Sequence, residues 1–261
     1  MSTMLRALPL IFLSGCSLLT ALSEPTNSGD STDADASPIT DAAPFEASDA
    51  SDAEIDAAHA PIAFVQSASS ATTSSLALPH PVTNGSLLIA AISTNDTGTV
   101  PVTGVSDTLN GVWKKAVSAA YADGHVELYY LSNSLAGTDT VTSAPSGQAA
   151  MVVAEYSGVA TTSPLDQFIG ASGSNSATLE TDPTAALMQT HELVIGVGGE
   201  TAAVKDFVAG SGFVMRDQAA LAFDFQVALE DRIATTTSGA VMTMMGSQND
   251  WGALVAVFKT P

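Results

Sequence analysis

The sequence predicts an all-β domain, two packed antiparallel sheets forming a β-sandwich, in residues 62–261. Three observations carry that expectation. From Pro61 onward, short apolar runs alternate with clusters of Gly, Ser, Thr, Asn and Asp at intervals of about 8 to 15 residues, the spacing of sandwich and barrel strands. Several runs are apolar throughout, as in strands buried on both faces. No amphipathic helical pattern of about 11 residues or more occurs in this region. Roughly 12 to 13 strands fit the length, which suits two stacked sheets.

Taken in order, residues 62–66 form a first strand. Residues 86–92 (SLLIAAI) are a continuous apolar run. The turn at 107–111 (DTLNG) precedes a strand over 112–121. Val126, Leu128 and Tyr130 alternate with His125, Glu127 and Tyr129, predicting a half-buried strand. Residues 151–156 and 193–197 are further buried runs. Phe223, Phe225, Val227 and Leu229 alternate with Asp224, Gln226 and Ala228. Residues 241–245 and 251–258 close the chain, and the last run, wholly apolar, belongs in the middle of a sheet. No period of about 20 to 50 residues repeats, which excludes a propeller or solenoid.

The chain divides into three parts. Residues 1–15 carry Arg6 and a short apolar run at 7–13 (ALPLIFL), too short to cross a bilayer as a helix, which takes about 20 residues. It fits the apolar region of a secretory signal. Residues 16–61 follow as a tether: between 17 and 60 there are ten acids and no Lys or Arg. Such a composition cannot offset its ordering entropy, so a disordered, charge-extended tether is expected, its ends roughly 40 Å apart as a coil. The net charge is −20, with seven Lys plus Arg against 27 Asp plus Glu. That balance excludes a nucleic-acid partner, which needs a basic surface. A single cysteine excludes an intrachain disulfide and a Cys-rich zinc site.

That cysteine closes the tetrapeptide LSGC at 13–16, which resembles the lipobox of bacterial lipoproteins. The resemblance implies cleavage before Cys16, acyl chains on it, and a membrane as partner through that anchor. Ser17 follows in place of the Asp that in this family often marks inner-membrane retention, so the outer membrane or cell surface is expected. The domain itself resembles a set of secreted bacterial β-sandwich modules of jelly-roll or lectin-like character. The pieces are GSLLIAA at 85–91, VSDTLNGVW at 105–113, LYY at 128–130, AGTDTVT at 136–142, EYSG at 155–158, GSGF at 210–213 and the run 251–259. These motifs are turns, core strands and tyrosines, and fold analogy alone does not specify function.

Chemistry is sparse. There is no nucleophile elbow, zinc-protease helix or phosphate loop. Gly196-Val197-Gly198-Gly199 reads as a strand running into a turn. The four histidines, His59, His80, His125 and His191, are scattered. A carboxylate pair would suit glycan hydrolysis. Glu155, inside an apolar run, and Glu127, beside His125, are the catalytic candidates; the structural alternative for Glu155 is a loop cap or a pair with Arg216 or Arg232. Glu230 and Asp231 are adjacent and would face opposite sides. Sugars are gripped by aromatic faces flanked by hydrogen-bonding groups, which singles out Tyr129, Trp251 and Trp113 with Asn249 and Asp250. Tyr129 has the best case for exposure. No cofactor is implied beyond a structural calcium at Asp107 and Asn110. The expectation is a lipid-anchored surface protein with a non-catalytic binding or adhesion module, for polysaccharide. The alternatives are a polysaccharide hydrolase or lyase, and a passive envelope or assembly protein. Oligomeric state is left open.

Overall fold

Val- and Ile-rich runs without helical periodicity form strands because β-branched side chains pack well on a pleated surface. The computed structural model describes residues 60–95, 102–122, 124–144, 149–201 and 206–261. The lipobox with Cys16, and the acidic stretch up to residue 59, lie outside the described residues. The strands are β1 (Ala63–Ser70), β2 (Ser75–Ala77), β3 (Leu87–Asn95), β4 (Gly104–Asp107), β5 (Gly111–Val112), β6 (Lys114–Tyr121), β7 (Gly124–Leu131) and β8 (Thr140–Ala144). They continue as β9 (Ala150–Ser157), β10 (Leu165–Glu180), β11 (Leu193–Thr201), β12 (Val208–Ala209), β13 (Val214–Leu221), β14 (Phe225–Ile233) and β15 (Thr243–Phe258). No helix occurs among the described residues.

The domain is an antiparallel β-sandwich. One sheet has the order β1-β9-β3-β7-β6; the facing sheet has the order β10-β15-β11-β14-β13, with β12 paired to β15. Their inner faces meet in a core built on Leu87, Ile89, Tyr156, Ile195, Val197, Phe225 and Phe258. β15 lies between β10 and β11, the interior position its apolar composition predicts.

A third, four-stranded sheet, β2-β8-β4-β5, adds a layer that the two-sheet expectation lacks. Val105 and Val141 from it pack with Leu88, Ala90, Ile92, Met151 and Val153 on the outer face of the first sheet. The facing sheet is also covered outside. Val194, Ala253, Val255 and Val257 pack under Leu187, Phe207, Ala240 and Met242, which lie between strands. Residues 181–191 run beside 234–242, joined by Thr181 N to Met242 O, Thr184 N to Ala240 O, Leu187 N to Thr237 O and His191 N to Ala234 O. The central strands of both sheets, β3, β9 and β11 among them, are therefore buried on both faces, which explains the continuous apolar runs.

Three local expectations need correction. β7 is buried on both faces over most of its length, not half-buried, because the third sheet covers its polar-looking side. Phe223 is 80% exposed with a positive φ of 63°, so it belongs to the turn before β14 and not to the strand. The runs at 241–245 and 251–258 lie in one 16-residue strand, β15, except that its start falls at Thr243.

Candidate functional site

Glu155 occupies the outer-facing register of β9, two residues after Val153, at the end where the third sheet gives way to the loop 78–86. It is fully buried. Gln66 Nε2 donates to Oε2 at 2.6 Å, and Thr83 N and Ser86 Oγ each donate to Oε1 at 2.8 Å. Gln66 in turn accepts from His80 N and donates to His80 O. The carboxylate is a clasp joining β1, β9 and the loop, and it does not open onto a groove. Neither arginine is its partner. Arg216 instead holds Asp231 in a two-pronged pair, Nε to Oδ2 at 2.7 Å and Nη2 to Oδ1 at 3.0 Å. The Tyr156 hydroxyl donates to the same Oδ2 at 2.7 Å. Burial, then the Asp231 charge, pushes the Tyr156 phenol well above its ordinary range. Glu230 faces the opposite side, as the strand alternation predicts: its side chain reaches Gly196 and accepts from Gly210 N at 2.8 Å.

Glu127 and Tyr129 share the outer face of β7. The Tyr129 hydroxyl lies 2.9 Å from Glu127 Oε2 and 3.0 Å from the Val102 carbonyl. Lys115 Nζ is 3.1 Å from the same Oε2 and 5.1 Å above the Tyr129 ring. Burial, followed by the Glu127 charge, raises the Tyr129 phenol. Tyr129 is only 2% exposed, so the expected open aromatic face is corrected: the third sheet packs over it.

Trp113 is likewise buried, and its Nε1 donates to Asp107 Oδ2 at 2.9 Å. Asp107 organises the 107–111 turn. Its Oδ1 accepts from the amides of Leu109, Asn110 and Gly111, and Oδ2 also accepts from Asn110 Nδ2 at 2.9 Å. Burial opposes ionisation here, but these donors outweigh it and hold the carboxyl below its ordinary value. Five N–H donors thus converge on the Asp107 carboxylate, and these hydrogen bonds account for the turn. Beside it sits Asp139, fully buried, with Thr108 N and Oγ1 on Oδ1 and no partner on Oδ2. Among the described residues no group of three or more His, Cys, Asp or Glu could hold a metal ion.

Trp251 is the third buried aromatic, 7% exposed, its ring lying across Gly173 of β10. A Cβ at Gly173 would sit 2.4 Å from that ring, so glycine is required by close approach. Next to Trp251, Asn249 and Asp250 are half-buried and belong to the outer half of the β10–β15 ladder, where Asn249 pairs with Ser176. Gln248 Nε2 donates to Asn175 Oδ1 at 3.0 Å. Of the five predicted ligand-binding residues, only Asn249 and Asp250 retain access to solvent.

Sequence reasoning missed Glu200, and for Glu230 it gave the facing but not the burial beneath the outer cover of the second sheet. Burial, against the pull of Gly210 N and Arg232, pushes Glu230 up to about 7. Glu200 accepts from Gln226 Nε2 at 2.6 Å and from Ser247 N, and burial raises it. A cavity of about 550 Å³, lined by Ala60, Pro61, Ile62, His191, Ile233, Thr260 and Pro261, lies where the two ends of the domain meet. Only the periodicity of β11 and β14 hinted at these acids, since each interrupts an apolar face. No protein-family model, no curated protein and no solved structure matches the chain.

Proposed function

We propose that this chain is a lipid-anchored bacterial surface protein whose β-sandwich is a non-catalytic binding or adhesion module with polysaccharide as its ligand class. One observation carries the choice of binding over hydrolysis. Glu155, the acid on which hydrolysis depended, is fully buried and spends its oxygens on three internal donors. Glu127 is tied to Lys115 and Tyr129 in the same way. A glycosidase needs two carboxyls facing one cleft.

The surface best suited to sugar hydroxyls is the outer half of the β10–β15 ladder, with Asn175, Gln248, Asn249 and Asp250. These groups offer both donors and acceptors. Anchoring rests on the lipobox and on the acidic tether between Cys16 and the domain. Two experiments test the reading. Cys16→Ser in the expressed full chain should move the protein from the membrane to the soluble fraction; an unchanged membrane fraction would refute the anchor. An array of cell-wall and matrix glycans, probed with the detergent-solubilised full chain, should show binding that Asn249→Ala with Asp250→Ala weakens. Silence across the array would refute the ligand class.

A further inference from the structure

Residues 188–192 cross the end of the domain immediately before β11. Five contacts hold them: Met188 N donates to Asp166 Oδ2 at 2.9 Å, Gln189 Nε2 to Thr260 Oγ1 at 2.6 Å and to Thr260 O at 3.1 Å, His191 N to Ala234 O at 2.8 Å, and Ala234 N to Glu192 O at 2.9 Å. His191 takes a positive φ of 64°, unusual for a residue with a side chain, and forms one wall of the cavity. Glu192 is fully buried, and neither of its oxygens has a donor in full hydrogen-bond geometry. Its side-chain neighbour is a second carboxyl, Asp166 of β10. Two carboxyls can hydrogen-bond only if one of them carries a proton.

We propose that residues 188–192 are a pH-responsive strap: a proton shared by Glu192 and Asp166 keeps it closed, and loss of that proton to water loosens it and opens the cavity behind His191. The charged groups around Glu192 set the balance. Asp166 on β10 opposes its ionisation. Lys259, just after β15, and the amide of Gln189 favour it. Arg232 of β14 stacks on Phe213, 4.9 Å from the ring. His191 turns instead to Thr190 Oγ1 at 3.0 Å. Burial is the largest influence and, with Asp166, places Glu192 at about 7, against an ordinary 4.5. Above that pH a buried Glu192 charge would face the like charge of half-buried Asp166, which the five strap contacts must oppose.

Amide hydrogen exchange on the full chain, corrected for the intrinsic pH dependence of exchange, tests this. Protection at Met188 and His191 should fall about ten-fold or more between roughly pH 6 and pH 8.5, while Val197 in the core holds its protection. In Glu192→Gln, whose amide can donate to Asp166 at any pH, protection at the strap should stay flat. Equal protection in the wild type at both pH values, or an equal fall in Glu192→Gln, would overturn the proposal. Should that variant not fold, carboxyl NMR of the wild type decides. A Glu192 midpoint near neutrality supports the strap, and one in the ordinary carboxylate range sinks it.

Discussion

At the scale of single residues, the domain uses its few buried charges as fasteners. Glu155 is the clearest. Truncating it strands the Gln66 amide, the Thr83 N–H and the Ser86 hydroxyl away from water, and a buried donor without an acceptor costs about 1 to 3 kcal/mol. Glu155→Ala should therefore lower unfolding stability by about 3 kcal/mol or more in urea titration, with the m-value unchanged. A loss below about 1 kcal/mol would mean that the loop repacks and that the clasp contributes little. The sequence placed an acid in an apolar strand but did not say what it touches. Gln66 lies 89 residues away and Asp231 lies 75 residues from Tyr156, separations across which no local pattern reads.

At the scale of elements, the β10–β15 ladder and the cover over the second sheet matter most. Gly173 lets the Trp251 ring lie flat on the ladder. Gly173→Ala should cost about 1 to 3 kcal/mol by overpacking and shift the tryptophan emission, since the ring must move. Unaltered emission with unaltered stability would disprove that packing role. The cover is pH-sensitive through Glu230, whose Gly210 contact ties the segment before β13 to β14. Its folded-state value is raised from 4.5 to about 7. The folded state thus holds a proton that the unfolded state has released. The stabilising contribution is complete below about 4.5 and is lost as pH rises through about 7. Melting temperatures between about pH 5 and pH 8.5 should fall, and Glu230→Gln should flatten part of that fall. A slope identical to wild type in the variant would exclude Glu230 as a source. The cover was not legible beforehand because residues 181–191 and 234–242 have no strand periodicity; they are held by backbone bonds to each other.

At the scale of the whole molecule, charge and layering separate cleanly. Ten of the 27 acids lie between residues 17 and 60, so much of the −20 belongs outside the sandwich. By itself the sequence determined the all-β class, most strand positions, the interior place of the last strand and the opposed faces of Glu230 and Asp231. These follow from local rules, since alternation, apolar runs and turn residues act within a few positions of one another. Only the tertiary structure decided that there is a third sheet. Its strands are two to five residues long and built on Ser, Thr, Gly and Val, too short to declare themselves. That added layer buried Tyr129 and Trp113, and the outer cover did the same for Trp251 and Glu230. Whether an aromatic is a platform or a core residue, and whether a carboxyl is a reagent or a fastener, depends on what packs over it from far along the chain.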